Sequence, residues 1–244
     1  MRLTRVFVDQ PLAPGVEASL GGEVAAHLVR VLRLQVGDPC VLFNGDGRDA
    51  DAVLVECGKR GAVARVRAVR DVDVESPLRI TLLQGVARGE KMDLILQKAT
   101  ELGVAAFVPV FSERSEVRLE GERAAKRLEH WQGVVHSACG QSGRARVPAI
   151  APPRPLAEAL QAFPDGPRLM LDPAAPLAMR DALAPAAPGC VLAIGPEGGW
   201  SSRDAMQLAG AGFSGVRLGP RVLRTETAGL AAIAALQAVH GDLR

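Results

Sequence analysis

The chain reads as an α/β protein in two parts, a small β-rich piece followed by a larger region of parallel strands buried under helices. Three observations carry this. Short alternating segments crowd the N-terminal part around Gly-Asp-Gly and Gly-Lys-Arg-Gly turns. From Pro77 onward the apolar runs LRITLLQGV, VAAFVPVF, RLMLD and CVLAIG lose that alternation and are separated by helical stretches, the pattern of strands covered on both faces. At 244 residues the chain is long enough to bury a sizeable core in one large domain or two small ones. The change of rhythm places the boundary near residues 72–77, which gives 1–72 and 73–244.

LTRVFV opens the chain as a short strand. EVAAHLVRVLRLQVGD follows as a helix, with Val24, Leu28 and Val31 on one face, Arg30 and Arg33 on another, and Gly37-Asp38 as its stop. PCVLFNGDGRDADAVLVEC is two strands around a turn; in AVARVRAVR, Arg65 and Arg67 alternate with Ala64, Val66 and Ala68. Such a set makes a small barrel or sandwich. In the second part, EKMDLILQKATELGV is a helix with Met92, Ile95, Ala99 and Leu102 as its buried stripe and Gly103 at its end. GERAAKRLEHWQGVVHSAC is a second helix with a mixed-charge outer face, and APAAPG is a loop.

Composition narrows the function classes. Tyrosine is absent and aromatics make up 3% of the chain, which argues against an RNA surface of stacked rings. Net charge is +2, yet arginine outnumbers lysine, and its planar guanidinium suits phosphates and base edges. Cys40, Cys57, Cys139 and Cys190 are scattered, with no CxxC pair and no histidine at ligand spacing, so reduced and mostly buried thiols, no metal and a cytoplasmic protein are expected. The start MRLTRVFVDQ lacks the apolar core of a signal peptide, and no stretch nears the roughly 18 apolar residues of a membrane span. No histidine sits in a nucleophile-elbow context, so hydrolase triads have no support.

AIGPEGGWSS leads from an apolar run into SSRDAMQLAGAG, where Ser201 and Asp204 have capping-box spacing. It is a loop from a strand's carboxyl end into a helix, where open α/β sheets bind ligands. It carries no Lys-Ser/Thr after the glycines and does not match GxGxxG, so it is neither a triphosphate loop nor a dinucleotide fingerprint. Its glycines would let a ligand approach the backbone; Glu197 is either a solvated turn residue or a partner for a cation or an N–H donor. VRLGPRVLRTETAGLAAIAALQ gives a strand, a compact loop and an apolar helix whose first turn holds Thr225, Glu226 and Thr227. Leu218-Gly219 and Leu223-Arg224 would line an apolar slot with backbone polar groups at its rim, suited to an adenine ring. Arg224 reads as a salt-bridge partner for Glu226 or as an RNA contact. Arg114 in FSERSEVR and Arg144 in QSGRARVPAI read as solvated loop residues or phosphate contacts.

AIGPEGGWS, RLGPRVLRTETA, KMDLILQKATELGV, ERS and QSGRARVP, behind an N-terminal HLVRVLRLQVGD, together resemble the RsmE family of ribosomal RNA methyltransferases. The resemblance runs essentially end to end, with Trp200 where another aromatic is usual and Asp204 where a glutamate is usual. It implies a PUA-like RNA-binding β-barrel, a SPOUT α/β catalytic domain with a deep C-terminal trefoil knot, and a homodimer. It also implies S-adenosylmethionine as cofactor, with N3 of one uridine of 16S rRNA in the small ribosomal subunit as the methylated atom. Carried over by position, the cofactor would be held by Leu171, Ile194, Gly195, Glu197, Gly198, Leu218, Gly219, Leu223, Arg224 and Thr225. Arg5, His27, Arg30 and Arg33 would face RNA. For catalysis, Arg224 is expected to stabilise negative charge on the uracil, and Glu197 or Glu226 to accept the N3 proton.

Overall fold

The alternation at the N-terminus becomes a five-stranded sheet in the computed structural model, which describes residues 3–58, 61–161, 163, 166–185 and 187–243. The chain divides into two units, one comprising residues up to Glu75 with His136–Val147, the other Ser76–Val135 with the residues from Pro148 on.

In the first unit β1 (Arg5–Phe7), β2 (Glu17–Leu20), β3 (Pro39–Phe43), β4 (Arg48–Cys57) and β5 (Ala62–Asp71) pair in the order β1-β3-β4-β5-β2. Only β1 and β3 run parallel. Leu20, Leu28, Leu42, Leu54, Ala64 and Val66 fill the core. Two expectations fail here for local backbone reasons. Helix α1 (Gly22–Ala26) continues into a π-helical turn, His27–Val31, which breaks the 3.6-residue period. Ala25 and Leu28 stay buried while Val31 is turned out, 67% exposed. In β5 a register shift sets Ala68 opposite Asp51 but Val66 opposite Ala52. Arg67 is the extra residue of this bulge, so Ala68 leaves the buried face of Ala64 and Val66.

The second unit holds a wholly parallel sheet of β6 (Arg79–Gly85), β7 (Ala106–Phe111), β8 (Ala149–Ile150), β10 (Arg168–Leu171), β11 (Gly189–Ile194) and β12 (Ser214–Val216), in the order β12-β10-β11-β6-β7-β8. A short β9 (Arg154–Pro155) also pairs with β7. The helices are α2 (Glu90–Glu101), α3 (Gly121–Ser142), whose residues from His136 on belong to the first unit, α4 (Leu156–Ala159), α5 (Ser202–Gly210) and α6 (Thr225–His240). On α2, Met92, Ile95 and Ala99 are buried as their spacing predicts, joined by Leu96 and Thr100, while Leu102 falls at the C-cap and is half-buried. Leu83, Val110, Met170, Val191, Ala193 and Leu208 pack together on the sheet. Past β12, Arg217 bonds back to the segment after β10, donating its N–H to Leu177 O at 2.8 Å and accepting from Met179 N at 3.0 Å.

Candidate active site

Parallel strands end on one side of a sheet, so β10, β11 and β12 deliver their following loops to the same place. There the second unit holds a cleft of about 700 Å³. Leu171, Ile194, Gly195, Glu197, Gly198, Leu218, Gly219, Leu223, Arg224, Thr225 and Glu226 all line it, so residues more than fifty positions apart in sequence are brought together.

The glycines of the loop Gly195–Ser201 serve its own fold before any ligand. A Cβ on Gly195 would lie 3.0–3.1 Å from the backbone of Gly199 and Trp200, because the loop doubles back through a turn in which Gly199 N–H donates to Pro196 O at 2.8 Å. Gly199 has φ +65°, open to glycine without strain. A Cβ on Gly198 would press on Arg114 at 3.1 Å, and Arg114 Nη1 donates to Gly198 O at 3.0 Å. The loop ends at Ser201, the N-cap of α5. Ser201 Oγ accepts from Asp204 N–H and Asp204 Oδ2 from Ser201 N–H, both at 3.0 Å, so the shorter carboxylate closes the capping box.

Glu197 is fixed from outside the loop. Its Oε1 accepts from Arg88 N–H at 3.0 Å and from Lys91 Nζ at 3.2 Å, which ties the loop to the start of α2. Burial pushes its carboxyl up, but the backbone N–H groups of Arg88 and of Glu197 itself, with Lys91, outweigh this and hold it below the ordinary carboxylate value.

At the head of α6 the N-cap is Arg224, which makes no side-chain cap. The buried Thr225 hydroxyl donates to Gly195 O at 2.6 Å and accepts from Gln84 Nε2 at 3.1 Å. Glu226 is half-buried; its Oε2 is shielded and has no hydrogen-bond partner among the described residues. Arg224 is exposed, and no ion pair joins it to Glu226 among the described residues.

The arginines expected to face RNA separate into two groups. Arg30 and Arg33 are exposed on the first unit, Arg33 with φ +57°, and Arg114 is exposed on the second. His27 lies in the π-helical turn, and its side chain falls outside the described residues. Arg5 and Arg144 correct the expectation, because both side chains are buried and internally paired. Arg5 bridges to Asp49 at 2.5 Å, donates to Cys139 O at 2.9 Å and lies over the Phe43 ring; Asp49 also takes Arg70 at 2.7 Å. Arg144 holds Glu75 through two bonds, Nε–Oε1 at 3.1 Å and Nη2–Oε2 at 2.5 Å. Buried guanidiniums need such pairing, and it occupies the groups an RNA phosphate would take.

Gln84, Lys91, Asp172 and Trp200 belong to the site without a functional reading from the sequence. Gln84 is fully buried beside the loop, and the other three line the cleft. Only Gln84 carried a signal, as the single polar side chain near the end of the apolar run LRITLLQGV. Among the described residues no cluster of His, Cys, Asp and Glu fits a metal, and no helix is long and apolar enough to cross a membrane. The four cysteines are free, and burial pushes the thiols of Cys40 and Cys139 up to about 11 and that of Cys190 to about 12.

A cleft at the carboxyl ends of parallel strands is a small-molecule site, and the two matching domain families define the class as RNA methyltransferases. The family described as RNA methyltransferase domain matches residues 74–237, and the RNA methyltransferase PUA domain matches residues 20–67. Ribosomal RNA small subunit methyltransferase E of Bacillus subtilis is 30% identical over 96% of each chain, and that of Mycobacterium bovis 34% identical over 94% of this chain and 89% of its own. The crystal structure of a ribosomal RNA small subunit methyltransferase E from Neisseria gonorrhoeae, bound to S-adenosyl methionine, superposes with TM-score 0.93 at 42% identity over the whole of both chains. A putative methyltransferase from Legionella pneumophila in complex with the same cofactor gives TM-score 0.94 at 37% identity, again over both whole chains. The chain belongs to the ribosomal RNA small subunit methyltransferase E family.

Proposed function

We propose that the protein transfers a methyl group from S-adenosylmethionine to N3 of one uridine of 16S rRNA in the small ribosomal subunit. The observation that carries this reading is the convergence of Leu171, the loop Gly195–Gly198 and the segment Leu218–Thr225 on one cleft, in a chain of this family. The residues present fit the cofactor. About 700 Å³ lies within the range of small-molecule sites, and Leu171, Ile194, Leu218 and Leu223 offer apolar walls for an adenine ring. No phosphate cradle competes with that assignment.

When bound, the cofactor supplies an electrophilic methyl group on a sulfonium. The chain's own residues deal with the uracil, whose N3–H has no in-plane lone pair until its proton leaves. Arg224, exposed at the cleft, stabilises the negative charge spread over O2 and O4. Glu226 lines the same cleft, and its carboxylate accepts the proton directly or through a water. Glu197 is the weaker acceptor of the two, since Arg88 and Lys91 already engage its carboxylate.

In this reading residues 73–244 form a SPOUT domain with a deep trefoil knot. The bonds between Arg217 and the segment Leu177–Met179 support the knot, because they hold the C-terminal stretch against the loop it would thread. Residues 1–72 form the PUA-like barrel that meets RNA through His27, Arg30 and Arg33, with Arg114 as a contact on the catalytic side. The protein works as a cytoplasmic homodimer. Titration calorimetry with S-adenosylmethionine tests the cleft: we expect one site per chain, lost when Leu223→Arg fills it, and no heat from the wild-type protein would overturn the reading.

A further inference from the structure

We infer that Gln84 and Thr225 form a clamp that sets the position of the cofactor loop, with Thr225 acting as a positioning residue and not as a cofactor ligand; the inference rests on the cleft being the S-adenosylmethionine site. Thr225 lines the cleft, but its hydroxyl is committed elsewhere. The one hydroxyl proton goes to Gly195 O at 2.6 Å, and one lone pair takes Gln84 Nε2 at 3.1 Å. Gln84 Nε2 has two protons and gives the other to its neighbour Gly85 O at 2.9 Å. One side-chain pair thus joins the end of β6, the first residue after β11 and the first turn of α6, three segments drawn from across the second unit.

The geometry fixes the direction of each bond. A carbonyl at Gly195 can only accept, so the hydroxyl must donate to it, and the group facing the hydroxyl from β6 must then be a donor. Glutamine supplies that donor while its neighbour in register, Ile194 of β11, keeps the sheet apolar. Gln84 is fully buried, and a polar side chain is kept at such a depth only if its bonds do something an apolar one cannot. Here they place the Gly195 peptide and the start of α6, which bear Gly195, Arg224 and Glu226 of the cleft, in fixed relation.

The test compares Thr225→Val, Thr225→Ser and Gln84→Met in the full chain. Valine keeps the shape of threonine and removes both bonds; serine keeps the hydroxyl; methionine keeps the length of glutamine and removes the donors. We expect KM for S-adenosylmethionine to rise about tenfold or more in Thr225→Val and Gln84→Met, kcat to change less, and Thr225→Ser to stay within about twofold. Amide exchange on the cofactor-free protein should quicken in residues 195–201 and in the first turn of α6 for the first and third variants alone. Unchanged KM and exchange in Thr225→Val, or a Thr225→Ser as defective as Thr225→Val, would overturn the clamp. A wild-type protein that binds no S-adenosylmethionine would instead overturn the functional reading, and the exchange measurement would still decide the clamp.

Discussion

Replacing Gly85 with alanine asks how firmly the cofactor loop is seated on β6. The new Cβ would stand 2.5 Å from both Cδ and N of Pro196, about 0.9 Å inside the 3.4 Å at which contact becomes ordinary. Neither atom can swing aside, since the proline ring is tied to the backbone, so the loop must shift by roughly 1 Å. Such a shift takes the 2.6 Å bond from Thr225 to Gly195 O to about the limit of a hydrogen bond. Overpacking of this kind costs about 1–3 kcal/mol. At about 2–4 °C per kcal/mol for a chain of this size, the melting temperature should fall by roughly 2–12 °C. Displacing the loop by that much should also lower turnover on the order of a hundredfold at fixed substrate. Thermal unfolding and steady-state methyl transfer measure both; a variant that melts within about 1 °C of wild type and turns over normally refutes the packing of the loop on β6.

Three other variants separate structural from functional charge. Arg144→Met strips Glu75 of its buried partner and should cost about 3 kcal/mol in urea unfolding of the protein; a loss under about 1 kcal/mol would show that the pair is not holding the first unit together. Arg30→Ala with Arg33→Ala should leave the melting temperature unchanged, raise KM for the small subunit, and flatten the dependence of log KM on log salt by about 1–2. For Glu197 the folded carboxyl lies below its unfolded value, so its contribution is complete above about pH 4.5 and is lost as pH falls through the folded value. Its side chain and that of Lys91 are 22% and 38% exposed, which keeps the effect below about 1 kcal/mol. Glu197→Gln should therefore melt slightly below wild type at pH 7 and converge with it at pH 3, whereas a gap that widens in acid would contradict the pairing.

Where a feature is carried by local pattern, the sequence alone shows it. The four apolar runs became parallel strands, the α2 stripe is buried, and Ser201 and Asp204 cap α5, because each depends on residues within a few positions. The residues that line the cleft were legible through the family resemblance, and the parallel strand ends explain why they meet on one side of the sheet. What escaped is non-local. Arg5 and Arg144 look like solvent arginines until the fold brings Asp49 and Glu75 to them, and Glu197, which suits a cation or an N–H donor, finds both only when the start of α2 delivers Lys91 and Arg88 from more than a hundred positions away. Val31 and Ala68 were misplaced by a π-helical turn and a bulge, each of which adds one residue to a period that pattern reading takes as constant. The glycines of GPEGG read as space for a ligand, yet Gly195 and Gly198 are crowded by the loop itself and by Arg114.

Small ribosomal subunits lacking the modification, incubated with the protein and S-adenosylmethionine and then digested to nucleosides for mass spectrometry, test the central claim most directly. The account predicts one 3-methyluridine per 16S rRNA, dependent on both protein and cofactor and lost in Arg224→Ala. A 2′-O-methylated nucleoside, or no methylated product from a protein that binds the cofactor, would contradict it.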